Sequence, residues 1–326
     1  MCIRDRYGTG TYGVRLLAGT LDLHNELEER IASFKQAECA VTMSSGYATN
    51  LATISSLLRK GDTVICDKLN HASIVDGCML SFAKFVRFRH NDMNHLERRL
   101  KEANPNGRIL VVADAVFSMD GDIIDLPEMA RLCKQYGAYL MIDEAHSVGV
   151  IGETGHGIEE HFGLPPDTVD IKMGTLSKTI PSAGGYVAGN SELITFLKHE
   201  ARAFIYSAAV PPPSAAAAKA AFDVIEQEPW RVEKIQTNYK RFADKLKAAG
   251  YNLLHTETAI VPVICGATAN GAALAKYCQD NGIFVQAIVA PVVPEGLARL
   301  RACISAAHSI EDIDYCADVI IAGGKK

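Results

Sequence analysis

Asp143-Glu144-Ala145-His146 sets a carboxylate and an imidazole close together, directly after the apolar run Tyr139-Leu140-Met141-Ile142. Lys178 follows Asp143 by 35 residues, in Gly174-Thr175-Leu176-Ser177-Lys178, after the strand-like Val169-Asp170-Ile171-Lys172-Met173. Ser44-Ser45-Gly46-Tyr47 joins a short apolar run to a helical pattern, and the first N–H groups of a helix bind anions. A lysine amine can form a Schiff base, a carboxylate can keep a pyridinium nitrogen protonated, and a helix start can hold a phosphate. Together these are the requirements of pyridoxal phosphate. Each feature alone has a plainer reading. A lysine is usually a solvated charge, and an Asp after a strand is commonly a turn or cap residue. Their order and spacing are what join them.

The elements that must position these residues alternate. Leu23, Leu27, Ile31 and Phe34 recur at helical spacing within 21–36. Strand-like runs follow at 40–43, 63–66, 84–88, 109–113 and 139–142, separated by helical patterns near 47–58, 72–82, 92–103 and 127–136. Continuous apolar strands separated by helices predict an α/β fold with a mainly parallel sheet covered on both faces. Ligands of such sheets bind at the carboxyl ends of the strands, which is where Asp143 and His146 fall. Past the breaker Pro211-Pro212-Pro213 the pattern turns to long helices up to about Gly250. Strands at 259–265, 283–288 and 299–304 follow, with helices at 270–281 and after Ser309-Ile310-Glu311-Asp312, which resembles a capping box. The expected division is a large domain over 1–215 and a smaller α+β domain over 216–326.

Other motifs are coincidental. Gly8-x-Gly10-x-x-Gly13 matches a dinucleotide fingerprint but has no strand before it; a flexible or substrate-covering loop is the better reading. Asp143-Glu144-Ala145-His146 spells a helicase motif, yet no P-loop accompanies it. His156, Glu159, Glu160 and His161 miss a zinc spacing by one residue, so no metal is expected. Thirty-three basic against 38 acidic residues give a formal net charge of −5, which offers no footprint for nucleic acid or an anionic membrane. No apolar stretch is long enough to span a bilayer. Nine scattered cysteines without a C-x-x-C pair read as reduced thiols of a cytoplasmic protein.

Taken together, the motifs resemble those of the α-oxoamine synthases, fold-type-I pyridoxal-phosphate enzymes that join an amino acid to an acyl thioester with loss of CO₂. The resemblance runs over about 7–323. It is carried by Gly19-Thr20 with His24 and Leu27-Glu28, Ser45-Gly46-Tyr47, Asn70-His71-Ala72-Ser73, His90-Asn91-Asp92, Val116-Phe117-Ser118-Met119-Asp120-Gly121-Asp122, Asp143-Glu144-Ala145-His146-Ser147, Gly174-Thr175-Leu176-Ser177-Lys178, and Arg299-Leu300-Arg301 with Ser305-Ala306-Ala307-His308.

The resemblance implies roles. Lys178 would hold the cofactor and move the α-proton, with burial and the neighbouring cofactor lowering its pKa. Asp143 would pair with the ring nitrogen, and His146 would donate to the phenolic oxygen. His71 would stack on the ring. Gly46 and Tyr47 would give backbone N–H groups to the phosphate and Thr175 a hydroxyl, Ser45 and Ser177 would be further cofactor-binding residues, Ser118 would lie near a cofactor oxygen, and Arg301 would grip the amino-acid carboxylate. A homodimer with the active site at its interface is also implied. Aminotransferase or lyase chemistry on the same fold, or an inactive or truncated subunit, are the alternatives.

The sequence also departs from the family pattern. Asp114 stands where many relatives have Glu, and Ala208-Ala209 stand where a hydroxyl pair is usual. Val289 replaces an Arg of the oxononanoate and serine palmitoyl types, and Pro291-Val292-Val293-Pro294 reads closer to the aminoketobutyrate ligase type. Against a family size of roughly 400 residues, the chain reads as short of an N-terminal arm.

Overall fold

A computed structural model describes residues 2–324. Close contacts divide the chain into two units, Met1–Ala115 with Ile124–Glu228, and Val116–Ile123 with Pro229–Lys326.

The first unit is built on seven strands: β1 (Cys39–Met43), β2 (Thr63–Asp67), β3 (Lys84–Phe88), β4 (Ile109–Asp114), β5 (Tyr139–Asp143), β6 (Ile171–Ser177) and β7 (Pro181–Gly189). They lie in the order β1-β7-β6-β5-β4-β2-β3. β6, β5, β4, β2 and β3 are parallel neighbours. β7 runs against both β1 and β6, so β1 shares the direction of the parallel set. The expected mainly parallel α/β sheet therefore forms. The carboxyl ends of β1, β2, β4, β5 and β6 come to one edge.

Residues of β2 and β4 are buried throughout, which is why they read as unbroken apolar runs. Strand alternation divides the core between two faces. Val41, Met43 and Val187 pack with Ile54, Val64 and Leu197. Ala40, Tyr186 and Ala188 pack with Leu27, Phe34 and Phe222. Burying one such large side chain contributes about 1.5–3 kcal/mol.

One strand was not foreseen and one boundary is corrected. β7 has no sequence signal because Pro181, Gly184, Gly185 and Gly189 lower its strand propensity. The domain boundary falls after Glu228, not at 215/216. Helix Pro212–Gln227 continues the first unit because it packs on helix Asp22–Phe34. Arg30 Nε lies 2.6 Å from Asp223 Oδ1, and the rings of Phe34 and Phe222 are 5.0 Å apart.

The second unit carries β8 (Ile260–Gly266), β9 (Ala287–Ile288) and β10 (Ala298–Cys303) as an antiparallel sheet in the order β8-β10-β9. The strand expected over 283–288 shrinks to β9. Helices Trp230–Ala248, Thr268–Asp280 and Ile310–Gly323 accompany the sheet. The last opens on the expected capping box: Asp312 N–H donates to Ser309 Oγ at 3.0 Å and Ser309 N–H to Asp312 Oδ2 at 2.9 Å. Gly121, at φ +75°, is obligatory, since a Cβ there would lie 2.0 Å from the Ile260 carbonyl oxygen.

Candidate active site

The shared strand edge of the first unit collects nine of the sequence-predicted residues. Asp143 ends β5, Ser177 ends β6 and Lys178 follows it. Ser45, Gly46 and Tyr47 lie just past β1, where helix Gly46–Leu57 begins. His71 lies past β2 and caps helix Ala72–Leu80. His146 and Thr175 complete the group.

The Nζ of Lys178 lies 2.8 Å from Nε2 of His146. In the single chain the Lys178 side chain is exposed, in the turn beyond β6. Asp143, only 4% exposed, is held by both oxygens: Oδ1 accepts from Ala145 N–H at 2.9 Å and Oδ2 from Asn50 Nδ2 at 2.7 Å. Carboxylates bonded in this way are fixed in plane as well as in place.

At the helix start, Ser45 Oγ accepts from Ala48 N–H at 3.1 Å. Gly46 and Tyr47 supply first-turn N–H groups, which have no earlier carbonyl of the helix to bond. Thr175 Oγ1 and Ser177 Oγ lie 2.9 Å apart. The helix sits tight against the sheet: a Cβ on Gly46 would come 3.0 Å from Thr175 Oγ1, and a Cβ on Gly185 would come 2.7 Å from Gly46 Cα. Tyr47 donates its hydroxyl to Asp76, and its ring meets His71 edge-on at 6.4 Å.

Sequence reasoning gave no site role to three polar residues at this edge, although two of them, Ser73 and Asp114, lie within or beside its motifs. Asn50 lies one turn beyond Gly46 on the same helix face, a spacing that could have flagged it. Ser73 bonds both Asn50 and His71. Asp114 ends β4 beside Asp143 and accepts His71 N–H at 2.8 Å. Burial, and then the Asp143 carboxylate, push the Asp114 carboxyl well above the usual range.

The turn after Asp143 rests on a buried ion pair. Lys35 Nζ lies 2.7 Å from Glu144 Oε1, and Glu144 Oε2 accepts from Ser147 Oγ and Ile158 N–H. Ser118 and Arg301 belong to the second unit, where Arg301 Nε donates to the Ser118 carbonyl and Nη1 to Cys303 Sγ. Arg299 shares its face of β10 and pairs with Asp120.

This donor set fits pyridoxal phosphate. It offers an amine for the aldehyde, a buried carboxylate for the ring nitrogen, and N–H and hydroxyl groups at a glycine-cleared helix start for the phosphate. Among the described residues no helix is long and apolar enough to cross a membrane, and the nine cysteines are free thiols.

The aminotransferase class I and II family profile matches residues 9–320. The 8-amino-7-oxononanoate synthase of Geobacter sulfurreducens is 44% identical over 324 residues, which is 99% of this chain and 83% of that protein. The Geotalea daltonii enzyme of the same name is 45% identical, over 99% of this chain and 82% of its own. Among solved structures, a serine palmitoyltransferase from S. paucimobilis with bound PLP-myriocin aldimine superposes with a TM-score of 0.96 at 34% identity, covering 99% of this chain and 81% of its own. Both curated relatives carry the oxononanoate name, not the aminoketobutyrate name toward which residues 291–294 lean.

Proposed function

The chain belongs to the aminotransferase class I and II family and is a pyridoxal-phosphate-dependent C-acyltransferase that forms an α-amino ketone; we propose that its substrates are alanine and a heptanedioyl thioester. The observation that carries this reading is the near-full-length identity to oxononanoate synthases. The product named there fixes its precursors by carbon count. Its amine sits on a carbon bearing a methyl group, which is the α-carbon of alanine. The rest is a straight acyl chain ending in a carboxylate. Condensation joins the α-carbon to the acyl carbon, expels the thiol and releases the alanine carboxyl as CO₂.

Bound pyridoxal phosphate supplies an aldehyde for amines and a protonated ring that draws electrons from the α-carbon. In this reading the Lys178 amine would hold the cofactor and carry the α-proton. His146 stays within hydrogen-bond reach of that amine and orients the cofactor oxygen. Asp143 keeps the ring nitrogen protonated. The exposed imidazole of His71 offers a flat face to the ring. Gly46 and Tyr47 N–H groups, with the Thr175 and Ser177 hydroxyls, bind the phosphate, while Ser45 caps the helix that presents them. For Ser118 and Arg301 the assigned roles rest on the resemblance.

We read the protein as a cytoplasmic homodimer. The free thiols support the compartment. The exposed Tyr12, Leu16, Leu17, Met79, Leu80 and Phe82 support a partner surface. Light scattering on the purified protein measures the stoichiometry.

The substrate test is thiol release from a panel of acyl-CoAs and amino acids. Alanine with heptanedioyl-CoA should give the highest kcat/KM. Faster release with serine and a long-chain acyl-CoA, or with glycine and acetyl-CoA, would overturn the substrate choice. Keto-acid exchange without thiol release would overturn the acyltransferase reading.

A further inference from the structure

Asn50 lies 1% exposed in helix Gly46–Leu57, and its Nδ2 reaches two acceptors, Asp143 Oδ2 at 2.7 Å and Ser73 Oγ at 3.0 Å. An amide NH₂ has two hydrogens and no more, so both are committed. Ser73 Oγ, having accepted from Asn50, has its one hydrogen left to give. Its neighbour on the other side is His71 Nδ1 at 2.7 Å, which also receives Ser73 N–H at 3.2 Å. A ring nitrogen that receives two donors carries no proton of its own. The imidazole proton must then sit on Nε2, the nitrogen away from Ser73. A directed chain results, running from Asn50 to Asp143 on one side and through Ser73 to His71 on the other.

The far side of the same amide supports a role beyond packing. Asn50 Oδ1 is buried and takes no hydrogen bond among the described residues. A buried acceptor left unsatisfied costs stability, and an apolar residue of the same size would avoid that cost. The N–H side is what the position needs.

We propose that Asn50 is a positioning residue that locks the plane of the Asp143 carboxylate and, through Ser73, holds His71 as its Nε2–H tautomer. In the cofactor reading above, on which this rests, one amide thus sets the group facing the ring nitrogen and the group facing the ring plane.

The test has one arm without the cofactor and one with it. In the unloaded protein, ¹⁵N-histidine NMR, with His71 assigned by loss of its signals in His71→Gln, should show one protonated and one unprotonated ring nitrogen. Proton correlations should place the hydrogen on Nε2. A hydrogen on Nδ1 in the unmutated protein overturns the proposal without any variant. Ser73→Ala and Asn50→Ala should each shift His71 toward a mixture of tautomers; unchanged signals in both would also overturn it. In the loaded protein, Asn50→Asp should move the pH midpoint of the cofactor absorbance, with the far-UV circular dichroism unchanged. Ser73→Ala, which keeps the Asn50–Asp143 bond, should leave that midpoint in place. An unmoved midpoint in a folded Asn50→Asp protein would overturn the Asp143 half. The unloaded arm reads the network even if the cofactor reading fails, so the two failures are separable.

Discussion

The Nζ of Lys178 stands 2.8 Å from Nε2 of His146, an amine past the end of β6 against an imidazole past the end of the neighbouring β5. That pairing brings a nucleophilic amine within hydrogen-bond reach of a group able to share its proton. Lys178→Ala should abolish the visible absorption of cofactor-loaded protein and reduce turnover to background. His146→Ala should retain the absorption and lower kcat by about 10²–10⁴-fold, the usual range for losing one positioned proton-transfer group. Absorbance titration with thiol-release kinetics checks both, and full absorption in Lys178→Ala would remove the lysine from its role.

Asp114 and Asp143 end adjacent strands as register partners. Burial, reinforced by Asp143, raises the Asp114 pKa in the folded protein. A carboxyl with a raised folded pKa gives stability that is fully present below its unfolded pKa of about 3.9. That contribution is lost as pH rises through the folded value. Asp114→Asn removes the ionisation while keeping an oxygen for His71 N–H. Its Tm relative to the unmutated protein should therefore climb from pH 4 to pH 8. About 1 kcal/mol moves Tm by roughly 2–4 °C in domains of this size, so the change is measurable by calorimetry. A flat difference would mean Asp114 is not held neutral.

Much of this edge was legible in the sequence because several strands give way to a polar residue after a mostly apolar run. Ile142 to Asp143 and Met43 to Ser44 are such transitions, and burial of both sheet faces explains them. Three things were not legible. β7 hides behind glycines that exist for close approach, not for strand propensity. Asn50 shares a helix face with Gly46, and that spacing points to the face without telling a site amide from any other polar residue on it. The exposure of Lys178 depends on the turn after Ser177, which no pattern in the chain encodes.

Lys35 and Glu144 form an ion pair with side chains 2% and 1% exposed. Replacing one member of such a pair strands the other charge away from water, at about 3–5 kcal/mol. Lys35→Met should lower the denaturation free energy by about that amount. Because Glu144 directly follows Asp143, cofactor affinity should fall as well. Adding Glu144→Gln removes the stranded charge and should recover part of the stability. Urea unfolding of the single and double variants separates the cases, and a stable Lys35→Met protein would argue against a buried charge at Glu144.

Gly185 of β7 faces the start of helix Gly46–Leu57 so closely that a Cβ would lie 2.5 Å from Thr49 Oγ1, 2.7 Å from Gly46 Cα and 2.9 Å from Gly46 N. Two of those atoms are backbone and cannot swing aside. Gly185→Ala must push the helix start away from Thr175, at an overpacking cost of about 1–3 kcal/mol. It should also weaken cofactor binding, since the displaced N–H groups are those offered to the phosphate. About 1.4 kcal/mol corresponds to a tenfold change in Kd, so absorbance titration should resolve the loss. Gly271 is the control. It lies in helix Thr268–Asp280, and a Cβ added there would meet nothing closer than 3.5 Å. Gly271→Ala should be neutral or stabilising by up to about 1 kcal/mol through helix propensity. If Gly185→Ala binds the cofactor as tightly as Gly271→Ala, the helix start is not the phosphate site.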